Sequence, residues 1–381
     1  MSSSPRFSVR FLFTADGWPY LLVPFIPLAL VLDLGDAAAG LIFFAAAAGI
    51  IPTAALMGRA TEELAAKSGP GIGGLLNVTF GNAPELIIAL FALEKGLHEV
   101  VKASIIGSIL GNALLVLGGS MLVGGLVKGG RKFQSFDSTT ASTQVSMLFL
   151  AVAALLMPAI FELVDGRGLP DVGIERFVGD TTIENLSLGV AVVLLLTYAC
   201  GLLFSLRTHA DLFNPVEGEG DAGHEGLWDW TVRRSVTMLA IAGVAVGIMS
   251  EVLVGSISEA SEAIGLSEFF IGVIVVAIVG NAAEHWVAIL VASKNQMNLA
   301  VNIAIGSAGQ IALAVAPVLV IASFFIGPGP MPLVFNGFEI GAVMVAVIAT
   351  FVVSYEGRST WFAGAQLLAL YMIFVITFFA A

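Results

Sequence analysis

Two short stretches of the sequence place carboxylate, amide and imidazole groups inside otherwise apolar segments. They are TFGNAPELIIAL (79–90), with Asn82 and Glu85, and IVGNAAEHWVAIL (278–290), with Asn281, Glu284 and His285. A carboxylate at the centre of a bilayer costs roughly 2.5–3.5 kcal/mol even on a lenient insertion scale. Ionisable groups that a membrane protein keeps at such a cost usually line an ion or substrate pathway.

The donor atoms of these stretches favour a hard cation. Carboxylate, amide and hydroxyl oxygens match the ligands of Ca²⁺, whereas soft metals prefer Cys or clustered His. Gly81 and Pro84 flank the first motif and predict a helix break that frees backbone carbonyls, since proline removes a helix hydrogen bond. The second motif keeps Gly280 but has Ala283 in place of the proline, which predicts a gentler break.

The two glutamates also suggest how transport is driven. An apolar environment stabilises the neutral form of a carboxyl group, whereas a bound dication stabilises the anion. One site therefore holds either a metal ion or protons, and alternating exposure to the two sides of a membrane turns that competition into exchange. His285 follows Glu284 directly, so it is a candidate for tuning this carboxylate or relaying a proton. The alternative for His285 is a hydrogen-bonded core residue.

The two stretches belong to one internal repeat. At an offset of 199 residues, 79–95 aligns with 278–294 and 103–117 aligns with 302–316, and 12 of these 32 positions are identical. The matches include the Gly-Asn-Ala-x-Glu motif and a serine, Ser108 or Ser307, that follows each glutamate by 23 residues. An apolar bias in composition does not explain matching Asn, Glu and Ser.

Further polar residues accompany the repeat. Ser108 and Asn112 are spaced i, i+4 and share a helix face, whereas Ser307 has its nearest polar partner at Gln310, because Ile311 replaces the asparagine. These four residues are either ligands of the cation or hydrogen bonds between packed helices. Glu63 and Glu262 are also related by the offset, and they either line an access path or are solvated at the membrane interface.

The composition is that of a polytopic membrane protein. The 381 residues are 58% hydrophobic and 12% charged, with a mean hydropathy of +0.98. The net charge of −12 argues against a nucleic-acid partner, and the single cysteine, Cys200, excludes an intrachain disulfide framework. Apolar runs predict an all-α fold with eleven transmembrane helices near 18–34, 38–58, 72–94, 101–127, 144–164, 186–206, 235–257, 267–293, 298–326, 337–355 and 361–381.

The repeat divides this fold into one N-terminal helix and two five-helix repeats. We predict the N-terminal helix at 1–36, as an uncleaved signal anchor, the first repeat at 37–207 and the second at 232–381. An odd number of spans makes consecutive repeats insert with opposite orientation, which is the inverted-repeat architecture of secondary transporters. Residues 208–231 form an acidic linker without Lys or Arg, which is a solvated linker or a segment that attracts cations.

Charge distribution predicts the orientation in the membrane. If the N-terminus is cytoplasmic, twelve of the 16 Lys and Arg residues lie on the cytoplasmic side. This positive-inside bias predicts a cytoplasmic N-terminus, an external C-terminus and, for so compact a chain, location in a prokaryotic cell membrane.

The motif residues are similar to a known family. GNAPELIIALFALEKG and VKASIIGSILGNALLVLGG, with GNAAEHWVAILVASKNQMNLAVNIAIGSAGQIALAVAP, resemble the two signature repeats of the cation/proton exchanger (CAX) family, within the calcium/cation antiporter superfamily. Histidine follows only the second Glu, as in that family. Sodium/calcium exchangers of the superfamily more typically carry Gly-Thr-Ser-x-Pro-Glu/Asp motifs, which this sequence lacks.

The resemblance implies a Ca²⁺/H⁺ antiporter without a cofactor, whose partners are Ca²⁺, protons and the lipid bilayer. It implies Glu85 and Glu284 as alternating ligands for Ca²⁺ and H⁺, and His285 as a modulator of proton coupling. It implies that the site is completed by nearby carbonyls, including the motif glycines, and by the following residues: Asn82, Asn281, Ser108, Ser307, Gly81 and Gly280.

Three alternatives remain. The first is a sodium-driven Ca²⁺ exchanger of the same fold, and the second is a divalent-cation channel, which also uses intramembrane Glu residues. An intramembrane hydrolase is disfavoured, because no suitable nucleophile lies near His285 in the sequence; we therefore expect a transporter rather than an enzyme. Selectivity among divalent cations and the oligomeric state are not indicated.

Overall fold

A computed structural model describes residues 9–12, 14, 17–127, 132–172, 181–209 and 228–381 of the chain. Of the predicted acidic linker, 208–231, only residues 208–209 and 228–231 belong to this described part, so the prediction of a solvated or cation-attracting linker lies mostly outside it.

The described residues are almost entirely helical. A four-residue helical turn, Val9–Leu12, precedes the helices that we number in chain order, and two short strands, β1 (Gln134–Ser135) and β2 (Arg358–Ser359), lie between them. The helices are α1 (Trp18–Leu34), α2 (Ala39–Gly69), α3 (Ile72–Gly81), α4 (Ala83–Glu94), α5 (His98–Leu126), α6 (Ser138–Val164), α7 (Thr181–Thr208), α8 (Val232–Gly255), α9 (Ile257–Ile264), α10 (Glu268–Ser293), α11 (Met297–Ala322), α12 (Gly337–Ser354) and α13 (Trp361–Ala380).

Each of the eleven predicted spans has a helical counterpart, and the predicted fold class is confirmed. In the described part of the chain, nine helices are long and apolar enough to cross a membrane. The bent pair α3–α4 passes the same test as one broken span, and α1 is a shorter apolar helix. The amphipathic α9 is too short to span a bilayer.

The two motif helices differ at their breaks. α3 and α4 meet at an angle of 41° around Asn82, whose backbone is not helical. Pro84 lies in the first turn of α4, where a backbone N–H would have no hydrogen-bond acceptor within the helix, so its absence costs nothing. α10 passes through Gly280 and Asn281 as one helix. The second motif, which has Ala283 where the first has Pro84, therefore lies in a continuous helix and does not show the gentler break that the sequence predicts.

The sequence repeat is also a repeat of helix boundaries. α5 and α11 begin at His98 and Met297, and α6 and α12 begin at Ser138 and Gly337, so both pairs keep the offset of 199 residues. Each of α5 and α11 contains a π-helical turn, at Gly111–Val116 and Ile311–Val315. Such turns are often found at functional sites.

The N-caps of α6 and α12 follow the same offset. Asp137 accepts a hydrogen bond from the Thr140 backbone N–H at 2.6 Å, and hydrogen bonds from the Thr140 backbone and side chain lower the pKa of Asp137. Asn336 accepts from the backbone of Phe338 and Glu339, and Glu339 Oε2 accepts from the Asn336 N–H in return, which makes a complete capping box.

Contacts between distant loops agree with alternating threading through a membrane. β1, between α5 and α6, pairs antiparallel with β2, between α12 and α13. An even number of spans separates these two loops, so both lie at one membrane face. The other face joins Ser187, near the start of α7, to Leu333, in the segment before α12, through a 3.0 Å hydrogen bond.

α5 lies at the centre of the molecule and is the most enclosed of the nine spanning helices in the described part. It crosses α10 with almost no space between the two backbones. A Cβ atom built on Gly107 would lie only 2.0 Å from the Val273 carbonyl oxygen. Only glycine permits this approach, which brings α5 of the first half against α10, the motif helix of the second half.

We therefore expect Gly107→Ala to destabilise the fold by ~1–3 kcal/mol or more, because a backbone atom cannot move aside as a side chain can. The measurement is thermal unfolding of the purified protein in detergent. Gly189→Ala is the matched control, since no atom lies within 4 Å of a Cβ at this position of α7. Equal unfolding temperatures for both variants would contradict the close crossing.

Candidate cation transport site

The carboxylates of Glu85 and Glu284 lie between the two motif helices, each against the glycine of the other motif. A Cβ on Gly81 would lie 3.2 Å from Glu284 Oε1, and one on Gly280 would lie 3.1 Å from Glu85 Cγ. The two carboxylates interact electrostatically with each other. The motif glycines therefore leave the space in which two acidic side chains from opposite halves meet.

Ser307 connects Glu284 to the first motif. Its hydroxyl lies 2.9 Å from Asn82 Oδ1 and 3.0 Å from Glu284 Oε2, and Asn82 Nδ2 donates to Gln310 Oε1 at 2.6 Å. A serine hydroxyl carries one proton, so it donates to only one of these two oxygens at a time. When Glu284 is protonated it can donate to Ser307, which then donates to Asn82. The hydrogen-bond pattern therefore depends on whether Glu284 carries a proton.

Asn112 and Asn281 form the corresponding network of the other half. Asn281 Nδ2 donates to Ser108 Oγ at 3.1 Å and to the Ala277 carbonyl at 2.9 Å. Asn112 Nδ2 lies 3.4 Å from Asn281 Oδ1 and 3.3 Å from Ser307 Oγ, so it bridges the two networks. Asn112 and Gln310 thus each contact the asparagine of the opposite motif, and they differ in that Asn112 is the donor and also reaches Ser307, whereas Gln310 is the acceptor.

Two acceptor oxygens of this cluster are left open. Glu85 Oε2 and Asn112 Oδ1 are buried and accept no hydrogen bond from any residue that the structure describes. The side chains of Glu85 and Glu284 are partly accessible, whereas Asn82, Ser108, Asn281 and Ser307 are buried. Open oxygens beside two carboxylates are suited to a cation, because a cation supplies the positive charge that no donor in the cluster provides.

Neutral oxygens must complete any metal coordination here. Throughout the described residues, no group of three or more His, Cys, Asp and Glu side chains is placed to hold a metal ion. Glu85 and Glu284 provide up to four carboxylate oxygens, and Ca²⁺ takes six to eight oxygen ligands. Amide and hydroxyl oxygens of the cluster are available to make up the difference.

His285 is buried against α5. A Cβ on Gly111, in the π-helical turn of α5, would lie 3.6 Å from His285 Cε1, and His285 Nε2 has no hydrogen-bond partner in the described part of the chain. Adjacent helical residues point in different directions, so His285 packs on α5 while Glu284 faces the site. Its role in proton coupling remains a prediction.

The repeat-related Glu63 and Glu262 are not brought to the site by a hydrogen bond. The Glu63 carboxylate is buried and accepts from the backbone N–H groups of Trp228 and Trp230, so it connects the C-terminal end of α2 to the chain entering α8. Glu262 is exposed on α9. The access-path role of these two residues remains a prediction.

The neighbouring Glu62 is a candidate that the sequence repeat does not reveal. It interacts electrostatically with Glu284 and forms a 3.3 Å ion pair with Arg59. Its repeat counterpart is Ser261, so the offset of 199 residues selects Glu63 instead. The adjacent Glu63 instead accepts hydrogen bonds from the backbone of Trp228 and Trp230, because consecutive helical residues point in different directions.

Comparisons with known proteins agree with this geometry. The sequence profile of the sodium/calcium exchanger protein family matches residues 38–207 and again residues 234–380. A Ca²⁺/H⁺ antiporter of Aphanothece halophytica is 43% identical over 353 residues, which cover 89% of this chain and 90% of that protein. The Ca²⁺/H⁺ antiporter ChaA of Bacillus subtilis is 43% identical over 354 residues, covering 93% and 96%. The solved structure of native YfkE has a TM-score of 0.78 at 41% identity and covers 95% of this chain and 100% of that one.

The shared hydroxyl leads to a test of the cluster. We expect Ser307→Ala to raise the KM for the transported cation roughly tenfold, because a hydrogen bond to a charged group contributes about 1.5–3 kcal/mol. Ser293→Ala is the control, since Ser293 only donates to the Leu290 carbonyl of its own helix. Cation uptake into vesicles measures both variants, and an unchanged KM for Ser307→Ala would remove Ser307 from the site.

Proposed function

The chain belongs to the sodium/calcium exchanger protein family, and from this premise we propose that it is a Ca²⁺/H⁺ antiporter that exchanges cytosolic Ca²⁺ for protons by alternating access. The names of the relatives at 43% identity support this substrate pair. The single structural observation that carries the proposal is the meeting of Glu85 and Glu284, from opposite repeats, with hydrogen-bonded amides and serines around them.

Glu85 and Glu284 are the proposed ligands of both transported ions. Two carboxylates this close repel each other when both are ionised, so an apolar site favours protons on them unless a dication is bound. Ca²⁺ binding then requires that protons leave, and proton binding displaces Ca²⁺. This mutual exclusion couples the two ions, since the site is exposed to the other side of the membrane with either Ca²⁺ or protons bound.

The neutral residues of the cluster are proposed to sense which ion is bound. With Ca²⁺ present, Glu284 is an anion, and Ser307 and Asn82 are free to turn an oxygen towards the ion. With protons present, Ser307 accepts from Glu284 and donates to Asn82, as the 3.0 Å and 2.9 Å distances permit. Gly81 and Gly280 are proposed to contribute through their lack of a side chain and through nearby carbonyls.

The proposed membrane arrangement follows the distribution of Lys and Arg. We place the N-terminus in the cytoplasm, the C-terminus outside and the protein in a prokaryotic cell membrane. On this arrangement β1, β2 and the Glu63 contact lie at the cytoplasmic face. As a transporter, the protein moves ions without making or breaking covalent bonds, so it is not an enzyme.

Neutralising either glutamate tests the proposal directly. In everted vesicles, we expect Glu85→Gln and Glu284→Gln each to lower Ca²⁺ uptake driven by a pH gradient at least ~100-fold. Each change removes a carboxylate that pairs with the bound Ca²⁺, and losing one partner of a buried ion pair costs about 3–5 kcal/mol. Glu259→Gln, which changes an exposed carboxylate on α9, is the matched control and retains wild-type uptake. Uptake that still follows the pH gradient in both site variants would contradict the two-glutamate mechanism.

The identity of the driving ion requires a separate measurement. We expect an imposed proton gradient to drive Ca²⁺ uptake and an imposed sodium gradient of equal size to leave it at background, because two neighbouring carboxyl groups in an apolar site are neutralised by protons when Ca²⁺ leaves. Sodium-driven uptake would instead identify the sodium-coupled alternative. Large single-channel currents across a planar bilayer would identify a channel.

A further inference from the structure

A buried lysine lies at the N-terminal end of α5, six residues before Ser108 of the transport-site cluster. Lys102 is 3% exposed, forms an ion pair with Glu99 and donates to the Val334 carbonyl at 3.0 Å. Glu339, 1% exposed at the start of α12, interacts electrostatically with both Lys102 and Glu99. The Glu99 carboxylate and the Val334 carbonyl contact the Lys102 ammonium directly, and the Glu339 carboxylate acts on it electrostatically, so three oxygen groups of the kind that bind cations serve one positive charge.

We propose that Lys102 is a tethered cation that occupies a second cation site, formed by Glu99, Glu339 and the Val334 carbonyl, and that it thereby holds the irregular segment before α12 in place. This site is separate from Glu85 and Glu284. The proposal does not rest on the transport reaction.

The segment that Lys102 holds needs such support. Residues 331–336 are all buried and have no regular secondary structure, and four of their backbone groups have no partner in a helix or strand. Side chains satisfy them instead. Met331 N–H donates to Ser323 Oγ at 2.8 Å, and the other three bonds involve Ser187, Lys102 and Glu339.

One carboxylate oxygen of the site remains open. Glu339 Oε2 accepts from the Asn336 N–H at 2.9 Å, whereas Glu339 Oε1 is buried and accepts no hydrogen bond in the part of the chain that the structure describes. A buried carboxylate in this condition depends on a nearby positive charge. Lys102 is the charge that the surrounding elements provide, and its loss would leave two acidic groups facing each other.

At the equivalent helix ends of the other half, a neutral hydrogen bond takes the place of the lysine and its carboxylates. At the offset of 199 residues, Glu99, Lys102 and Glu339 correspond to Asn298, Val301 and Thr140. There Asn298 Oδ1 accepts from the Asp137 N–H at 2.6 Å, so a neutral amide joins the start of α11 to the start of α6. The charged arrangement is therefore an addition of the first half and not a requirement of the repeat.

Chemical rescue distinguishes an occupied cation site from an ordinary structural contact. Lys102→Ala removes the side chain beyond Cβ, which has the size and charge of n-propylammonium. We expect the full-length variant, purified in detergent without Ca²⁺, to unfold ~5 °C or more below wild type. We expect millimolar n-propylammonium to restore at least half of that loss, while the neutral 1-propanol does not and wild type responds to neither.

Two further variants keep the test decisive. Lys95→Ala, an exposed lysine in the turn before α5, should unfold at the wild-type temperature and ignore n-propylammonium. Adding Glu99→Gln to Lys102→Ala should raise the unfolding temperature and abolish the response, because the site then lacks one carboxylate. If the Lys102→Ala variant does not fold in detergent, expression with n-propylammonium in the medium should recover it.

Three results would overturn the proposal. They are a wild-type unfolding temperature for Lys102→Ala, equal rescue by 1-propanol, and no rescue by n-propylammonium of a destabilised variant. Each is measured without transport, so each would leave the proposed antiport unaffected. Conversely, loss of pH-driven Ca²⁺ uptake in the wild type would contradict the antiport and not the tethered cation.

Discussion

The cost of removing charged and polar groups from water is the constraint on which this structure depends. A bilayer offers no water to an unpaired carboxylate, amide or backbone group, so each must find a partner inside the protein. Glu284 shares a hydroxyl with Asn82, and Asn112 connects the networks of the two halves. The same requirement places a lysine beside Glu99 and four side chains along the buried segment 331–336. Glu85 Oε2 is satisfied by no residue that the structure describes, and we propose that the transported cation binds there.

Close backbone contact is the second condition for the site. Carboxylates from opposite repeats meet only because Gly81 and Gly280 have no side chains and because α5 and α10 cross at Gly107. A site formed between two halves, rather than within one, can be exposed to either side of the membrane when the halves move. The geometry that lets two like charges approach each other is thus also the geometry that permits alternating access, and mutual repulsion makes the choice between Ca²⁺ and protons exclusive.

Much of this organisation can be predicted from one sequence. Apolar runs locate the eleven helices because a membrane requires about twenty apolar residues for each span, and the offset of 199 residues is enough to pair Glu85 with Glu284. Glu284, the asparagine of each motif and the serines that follow lie in one hydrogen-bonded cluster, and Glu85 lies beside it against Gly280. Where the halves diverge the repeat carries less information, since it pairs Glu63 with Glu262 but does not single out Glu62, which interacts electrostatically with Glu284.

By itself the sequence determines the fold class, the family and the pair of motifs, because hydropathy and repeated chemistry are local properties of the chain. Only the tertiary structure decides which face each polar side chain takes. Asn82 meets Gln310 across 228 residues, Lys102 meets the Val334 carbonyl across 232, and His285 turns to α5 although it adjoins Glu284. Such contacts depend on how helices rotate and cross when they pack, and rotation by one residue, about 100°, moves a side chain from a site to a neighbouring helix.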